Sequence, residues 1–405
     1  MVRYTLLFIG FTLSCCTPQS EFDQPWGQIL TSNSQVFNRV IDSLDHYEIQ
    51  ILYTQIDQED GVVKLTSHPL HINENRYFYP ASTVKMPTSF LAIEFINELV
   101  QDHPGIDLYT RIQYDSIAPP QTPESMDSTS SSGYPNVVHY IEKIFSVSDN
   151  NAYNRLYELM GQDYINERLQ EKGIFNKSKI IHRVGISGFD AEANRYTNPY
   201  QLLDEAGDTL YQQDELYALY QDYPIVDAVL KGRGRYDDDL DRVIDEPFDF
   251  SYKNFISIPE MQQSLIRVVY PELYDSTQQY MITDDQRSFL LNTMKKTPDQ
   301  YPHLHGQSEY YDSYVKFFIY GDSEEPIPDH IEIANKVGWA YGYLTDCAYI
   351  RDTQRDISFF LTATIHVNSN QIYNDGIYEY DSIGMPFLAE LGRQVYDYEL
   401  QRHGH

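Results

Sequence analysis

The chain has 405 residues, of which 41% are hydrophobic, and its 29 basic and 60 acidic residues give a formal net charge of -31. A charge of this sign and size disfavours nucleic acid and anionic membrane surfaces as partners. The length suffices for one large domain or two lobes with a buried core. Because the chain has only three cysteines, a framework of disulfides cannot hold it together.

The first sixteen residues, MVRYTLLFIGFTLSCC, predict a lipoprotein-type export signal. A basic residue precedes a short apolar stretch over residues 4–13, which is too short to span a bilayer as a helix. The stretch ends in a sequence similar to a bacterial lipoprotein cleavage box, with Cys15 as the expected lipidation site. Cys16 is the alternative acceptor, and ordinary secretion is the alternative fate. Residues 17–27 are polar and are expected to form a tether.

Hydrophobic periodicity predicts the first half of the fold. A helix is predicted over 28–46, followed by strands over 47–56 and 62–72 that the glycine-closed link DQEDG would join as a hairpin. Residues 86–100 are apolar on nearly every side, which favours a buried central helix. Further helices are predicted over 137–160, 163–172, 283–296 and 383–401.

The C-terminal third of the chain favours strands. The segments in question are SYVKFFIYG, HIEIANKVGWAYG, LTDCAYIRD and DISFFLTATIHV. Strands at both ends predict an α+β fold, with one antiparallel sheet built from residues 28–81 and 301–405 and flanked by helices from both chain ends. An all-helical lobe, 82–300, would be inserted between them and enlarged by the tyrosine-rich, acidic segment at about 200–285. We expect a cleft where the lobes meet.

The segment YPASTVKMPTSFL, residues 79–91, carries the first chemical signal. It places Ser82 at the start of the central helix and Lys85 one turn later on the same face. A lysine partly removed from water tends to lose its proton, and a neutral lysine beside a hydroxyl can act as its general base. A second such pair, Ser313 and Lys316, falls in a predicted strand, where residues three apart face opposite sides. That pair is therefore not expected to react.

Two further short motifs follow in order along the chain. Residues 148–150 read Ser-Asp-Asn, and residues 336–338 read Lys-Val-Gly. Each motif alone has an ordinary explanation, a helix cap for the first and a strand-edge charge for the second. Together with the Ser-x-x-Lys pair, the order resembles the class A β-lactamases and the related penicillin-binding proteins. The step Tyr-Thr-Asn-Pro at 196–199 is similar to the Thr-Thr-Pro step of that family.

The resemblance implies a fold of the β-lactamase/transpeptidase type and a serine hydrolase that works through an acyl-enzyme. Ser82 would be the acyl-accepting nucleophile and Lys85 its general base. Ser148 would relay protons to the leaving group, with Lys336 close by to lower the cost of charge there. No metal or organic cofactor is implied.

The resemblance also implies a set of substrate-binding groups. Asn150 would hold the amide of the substrate and steady Lys85, while Asp149 would brace its turn. The backbone N–H groups of Ser82 and of Trp339, which follows Gly338, would form an oxyanion hole.

Two positions depart from the family pattern. Val337 stands where the family has Thr or Ser, so a hydroxyl that helps to bind the substrate carboxylate is missing. Arg351 is a candidate substitute for that interaction. The deacylating glutamate of the family is part of a Glu-x-x-x-Asn sequence, whereas Glu192 lies two residues before Asn194. Glu192 is a weak candidate for the water-activating base, and a surface acid is the alternative interpretation.

The sequence thus predicts an exported serine hydrolase of the bacterial cell envelope, in the periplasm or on the outer membrane, bound to lipid only through its anchor. A small-molecule or peptide acyl compound would be its substrate, and the protein would be a monomer. One alternative is a genuine β-lactamase. The other is a non-catalytic binding protein that retains the fold.

Overall fold

The computed structural model describes residues 23–405, apart from residues 221, 222, 224 and 225. The predicted signal peptide and Cys15 lie outside the described residues. Across the described ranges, no helix is both long and apolar enough to cross a membrane.

Nine α-helices are found in the described part of the chain. They are α1 Trp26–Ile29, α2 Gln35–Ile41, α3 Lys85–Asp102, α4 Val137–Val147, α5 Asn150–Met160, α6 Gln162–Glu171, α7 Ile258–Val269, α8 Asp284–Lys295 and α9 Met385–Arg402.

The same residues form thirteen strands. They are β1 Gln50–Glu59, β2 Val62–Leu70, β3 Arg111–Tyr114, β4 Tyr200–Leu203, β5 Thr209–Gln213, β6 Leu230–Lys231, β7 Gly234–Asp237, β8 Arg242–Ile244, β9 Phe248–Asp249, β10 Ile331–Ala340, β11 Tyr343–Asp352, β12 Ile357–His366 and β13 Ile372–Tyr373.

The two ends of the chain build one antiparallel sheet in the order β10–β11–β12–β1–β2. Strand β10 is therefore an edge strand, next to the region inserted between the two ends. The hairpin predicted between β1 and β2 is present, and its turn residues Asp60 and Gly61 both have positive φ, as a tight hairpin requires. The predicted α+β class is confirmed.

The sheet separates two apolar cores because successive residues of a strand face opposite sides. One core lies between the sheet and helices α1, α2 and α9, where the rings of Phe37 and Phe387 stack at 5.3 Å. The other core lies on the side of α3 and α7. Helix α3 is buried on nearly every side along its first three turns, as its sequence predicted. This helix carries the candidate site against the sheet.

The predicted all-helical lobe is wrong in one respect, since the inserted region also contains small sheets. Strands β3, β4 and β5 form one of them, and β6 pairs with β9. The turn between β4 and β5 is held by Asp204, whose side chain accepts hydrogen bonds from the backbone N–H groups of Ala206 at 2.9 Å and Asp208 at 2.8 Å. Such local side-chain turns compete with helix formation, which favours a hairpin of β4 and β5 at this point.

The strand predicted over SYVKFFIYG is also wrong. Residues Asp312–Val315 form a 3₁₀ turn instead. The Lys316 ammonium is buried and donates to the carbonyl oxygens of Met294 and Ile333, each at 2.9 Å. Ser313 instead donates to the Ser323 carbonyl. A buried ammonium needs several acceptors at once, and the fold-back of this segment supplies them. Ser313 and Lys316 therefore do not bond to each other. The reason is that each has its own backbone partners, and not that a strand turns them to opposite faces.

Candidate active site

Ser82 lies in a single 3₁₀ turn, Ala81–Val84, that leads directly into α3. The Lys85 N–H donates to the Ser82 carbonyl, so the two residues are held one turn apart by the backbone. Pro87 lies in the first turn of α3, where its missing N–H would have had no helical partner. Ser82 is half-buried, and its hydroxyl makes no hydrogen bond to any residue that the structure describes.

The Lys85 ammonium is fully buried among acceptors. It donates to the Ser148 carbonyl and to Asn150 Oδ1 at 2.7 Å, and Ser148 Oγ lies 3.4 Å away. Burial lowers the pKa of Lys85 to about 7, against which the charge of Asp149 acts only in part. Removal from water disfavours the charged form. A large fraction of Lys85 is therefore neutral near pH 7, as a general base must be.

Lys336, on strand β10 of the sheet, contacts Ser148 as well. Its Nζ donates to Ser148 Oγ at 2.8 Å and to the Val337 carbonyl at 2.9 Å. Burial lowers the pKa of Lys336 well below its ordinary value, and the neighbouring Lys85 lowers it further. Two ammonium groups this close are not readily charged together. The Ser148 hydroxyl therefore lies between two amines that can exchange protons with it.

The Ser-Asp-Asn motif is a break between two helices, where a single helix was predicted over 137–160. Ser148 ends α4 in the left-handed region with φ +58°. Asp149 then caps α5, since its side chain accepts from the Ala152 N–H at 2.7 Å. This break brings the Ser148 carbonyl and the Asn150 side chain to the Lys85 ammonium. The bracing role expected for Asp149 agrees with this geometry.

Gly338 allows the edge strand β10 to lie against the turn that carries Ser82. A Cβ atom at this position would lie 2.5 Å from the Pro80 carbonyl oxygen and 2.8 Å from the Ser82 nitrogen. No side chain fits there, so the strand backbone and the Ser82 amide are in direct contact. The Trp339 ring packs edge-on against Tyr314, with centroids 6.1 Å apart. The ring packs against the core that includes α9, whereas Ala81 and Val84 of the Ser82 turn belong to the other core.

The two departures from the family pattern have structural explanations. The Val337 side chain is fully buried in the apolar core that includes α9. Valine fits that core, where an unpaired hydroxyl would be costly. Arg351 is exposed on β11 opposite Glu332 and lies near Asp356, at 3.8 Å. The structure gives Arg351 no contact with the candidate site.

Glu192 lies apart from the site residues. About 60% of its side chain is exposed. Its carboxylate accepts from the Tyr217 hydroxyl at 3.1 Å and lies 3.4 Å from Arg195. It contacts none of the predicted catalytic residues within the described part of the chain. The surface-acid interpretation therefore fits this position better than a water-activating base.

Sequence reasoning missed a side chain that holds the wall of the site in place. Asn154 lies one turn after Asn150 in α5. Its amide binds Val184 twice, accepting from the N–H at 2.9 Å and donating to the carbonyl at 3.1 Å. The next residue, Gly185, lies so close to Asn150 that a Cβ there would lie 2.0 Å from Asn150 Nδ2. The i, i+4 spacing of two asparagines on one helix face is the signal that could have revealed it.

Residues 34–215 match the model of the beta-lactamase enzyme family. The predicted resemblance to the β-lactamase and penicillin-binding-protein type of serine hydrolase is confirmed. The match covers the turn of Ser82, both helices of the Ser-Asp-Asn motif and the loop that contacts Asn150. It supports a β-lactamase-like serine hydrolase. The sequence matches none of the curated proteins.

The chain is also similar to solved structures of β-lactamases and of PBP-A. It aligns over 90% of its length with 95% of a β-lactamase from Desulfarculus baarsii, at 12% identity and a TM-score of 0.48. It covers 96% of PBP-A at 14% identity and a TM-score of 0.47, again over 90% of its own length. With the β-lactamase from Streptomyces albus G, the alignment covers 90% of this chain and 99% of that protein, at 11% identity and a TM-score of 0.47. Similarity at this level does not by itself indicate a function.

Proposed function

We propose that this β-lactamase-like protein is an acyl hydrolase that forms an acyl-enzyme on Ser82 from an amide or ester and then releases the acid. The observation that supports the proposal is the environment of Lys85, which is buried among acceptors and has a pKa lowered to about 7. Burial lowers the pKa of Lys316 as well, to about 8. Lys85 differs because its ammonium also lies 3.4 Å from the Ser148 hydroxyl, to which Lys336 donates, and a general base requires both a neutral amine and such a neighbour.

In the proposed first step, neutral Lys85 takes the proton of the Ser82 hydroxyl as Oγ attacks the carbonyl carbon of the substrate. The N–H groups of Ser82 and Trp339 would stabilise the resulting oxyanion. Ser148, between Lys85 and Lys336, would pass a proton to the leaving group. The carbon–leaving-group bond then breaks, and the acyl group remains on Ser82.

In the second step, water must attack the ester on Ser82 and restore the free hydroxyl. Glu192 lies at the surface, so the proton of this water would pass to Lys85 and Ser148. One base would then serve both halves of the reaction. We expect deacylation to be the slower half, because neither group is dedicated to holding the water.

A genuine β-lactamase is the second candidate, and the family match over residues 34–215 favours it. The burial of Val337 and the position of Glu192 count against efficient turnover of carboxylate-bearing β-lactams. The distinction depends on how long an acyl group remains on Ser82.

A labelling experiment tests the proposal. A fluorescent fluorophosphonate and a fluorescent penicillin are incubated with the wild type and with Ser82→Ala. Label on the wild type alone supports a serine nucleophile at this position. Penicillin label that persists for hours indicates slow deacylation, whereas rapid loss of label with nitrocefin turnover indicates a β-lactamase. If neither probe labels the wild type, the protein does not act by this chemistry, and a non-catalytic binding protein becomes the better interpretation.

We also propose that the chain is an exported, lipid-anchored monomer that meets its small-molecule or peptide substrate in the cell envelope. The support is the apolar N-terminal stretch that ends at Cys15 and Cys16. Metabolic labelling with an alkyne fatty acid should mark the wild type and Cys16→Ala but not Cys15→Ala. Label that disappears only in Cys16→Ala would move the anchor to the neighbouring cysteine.

A further inference from the structure

A cluster of aromatic rings lies where three segments of the candidate site converge. We call this cluster the aromatic wall and define it as Tyr79, His182, Phe248, Phe250 and Tyr341. The first member lies three residues before Ser82, the second is on the loop that contacts Asn150, and the last follows Trp339 by two residues. The two phenylalanines come from the segment 200–285, whose purpose the sequence did not reveal.

The rings are in mutual contact. Tyr79 lies parallel to His182 with centroids 6.1 Å apart, and it meets Tyr341 edge-on at 5.2 Å. Tyr341 lies 5.1 Å from Phe248 and 5.5 Å from Phe250. These distances are those of favourable aromatic pairs. The wall is therefore one packed unit joined to the nucleophile segment, the edge strand and the loop beside Asn150.

The wall has a buried base and a partly exposed surface. Tyr79, His182 and Phe250 are at most 5% exposed, whereas Tyr341 and Phe248 are half-buried. Tyr341 follows Trp339 by two residues, directly after the end of β10.

Tyr341 adopts a conformation that its residue type disfavours. Its φ is +55°, and the following Gly342 has φ +83°, so the two residues form the tight turn between β10 and β11. Such turns favour Asn or Gly at both central positions. A bulky residue in the left-handed region is a strained feature of the kind often found at functional sites. Here the strained residue supplies a half-buried ring at the end of the strand that carries Trp339, in contact with Tyr79 from the Ser82 segment.

Neither of the two groups that the family resemblance suggested for binding a substrate carboxylate is available here. Val337 has no hydroxyl and is buried in the core, and Arg351 does not reach the site. The net charge of -31 further disfavours anions. An uncharged group that packs on aromatic rings is the kind of substrate that these surroundings suit.

We propose that the aromatic wall is the subsite for the acyl group of the substrate, and that the protein prefers esters or amides of uncharged aromatic acids. This inference rests on the proposed function. The acyl group would lie on Phe248 and Tyr341 while its carbonyl oxygen occupies the oxyanion hole. In the covalent step the Ser82 Oγ–carbonyl carbon bond forms and the bond to the leaving group breaks. For a nitrophenyl ester, nitrophenolate departs with the electron pair of that bond, and the serine proton is left on Lys85.

Two esters with the same leaving group test this assignment. The value of kcat/KM is measured for p-nitrophenyl phenylacetate and p-nitrophenyl acetate, and each is divided by the alkaline hydrolysis rate of that ester. We expect the corrected ratio to favour phenylacetate about tenfold in the wild type, which corresponds to about 1.4 kcal/mol. Phe248→Ala should bring the ratio to within twofold of one, and Phe248→Leu should give an intermediate value.

A matched control and a second variant keep the test decisive. Val62→Ala removes an exposed side chain at the opposite edge of the sheet and should keep the wild-type ratio. Tyr341→Gly suits the positive φ of the turn, so it removes the ring without further strain, and it should lose the preference as well. This variant tests the wall even if Phe248→Ala fails to fold.

The outcomes separate this inference from the proposed function. A ratio near one in a wild type that a fluorophosphonate still labels at Ser82 overturns the aromatic subsite and leaves the hydrolase intact. An unchanged tenfold ratio in both wall variants also overturns it. Absence of any labelling of the wild type overturns the hydrolase and the subsite together.

Discussion

The lowered pKa of Lys85 predicts how the rate of acylation depends on pH. With a pKa of about 7, the neutral fraction of the amine is about 9% at pH 6 and about 91% at pH 8, so the rate should rise about tenfold and then level off. A lysine with an ordinary pKa of about 10.4 would instead give a hundredfold rise over the same interval and no plateau below about pH 10. The two cases differ in both slope and plateau.

The assay is the pseudo-first-order rate of fluorophosphonate labelling between pH 5.5 and 9.5. It reports on Ser82 and needs no knowledge of the natural substrate. Lys85→Met keeps an unbranched stem of the same length and removes the amine, so labelling should fall more than about a hundredfold and lose its rise with pH. A hundredfold rise in the wild type between pH 6 and 8, or normal labelling of Lys85→Met, would refute the role of this lysine as a buried base.

The same pKa also links folding stability to pH. In the folded protein it lies below the ordinary value of 10.5, so the unfolded chain binds the extra proton and stability falls as pH decreases from about 10 towards 7. From pH 9 to pH 7 this group alone should cost about 2 kcal/mol. Lys85→Met has no amine to titrate and so does not lose this stability. In urea unfolding, the stability of the variant relative to the wild type should therefore be about 2 kcal/mol more favourable at pH 7 than at pH 9. An equal difference at both pH values would contradict the burial of a neutralised amine.

Three further predictions concern the surroundings of the nucleophile. Gly338→Ala forces a Cβ to within 2.5 Å of the Pro80 carbonyl oxygen, so labelling should drop more than about tenfold and thermal unfolding should show a loss of about 1–3 kcal/mol. Ser148→Ala removes the hydroxyl between the two lysines and should slow acylation about 10²- to 10⁴-fold while the circular dichroism spectrum stays the same. Glu192→Gln changes an exposed acid and should leave both acylation and deacylation within twofold, measured by decay of the penicillin label; a large slowing of deacylation would return this residue to the mechanism.

Local sequence was sufficient for the parts of the site that lie within a single element. Once the segment is helical, the three-residue spacing of Ser82 and Lys85 places both on one turn. The capping preference of Asp149 favours a helix start at that position, although the sequence predicted a single helix over 137–160, and the β propensity of the C-terminal segments predicts the strand that carries Lys336. These features follow from backbone geometry and from residue preferences that act over a few residues.

Tertiary structure decided which of these residues meet, and what each can do. Ser148 and Lys336 lie 188 positions apart in the chain, and no local rule predicts that their side chains lie in contact. The pKa of Lys85 depends on complete removal from water, which only the packing of α3 against the Ser148–Asn150 segment determines. Ser313 and Lys316 have the same spacing as Ser82 and Lys85, but the fold gives them separate partners. It also leaves Glu192 at the surface. Desolvation and proximity are properties of the folded chain, so a motif can indicate a reaction without showing that its groups come together.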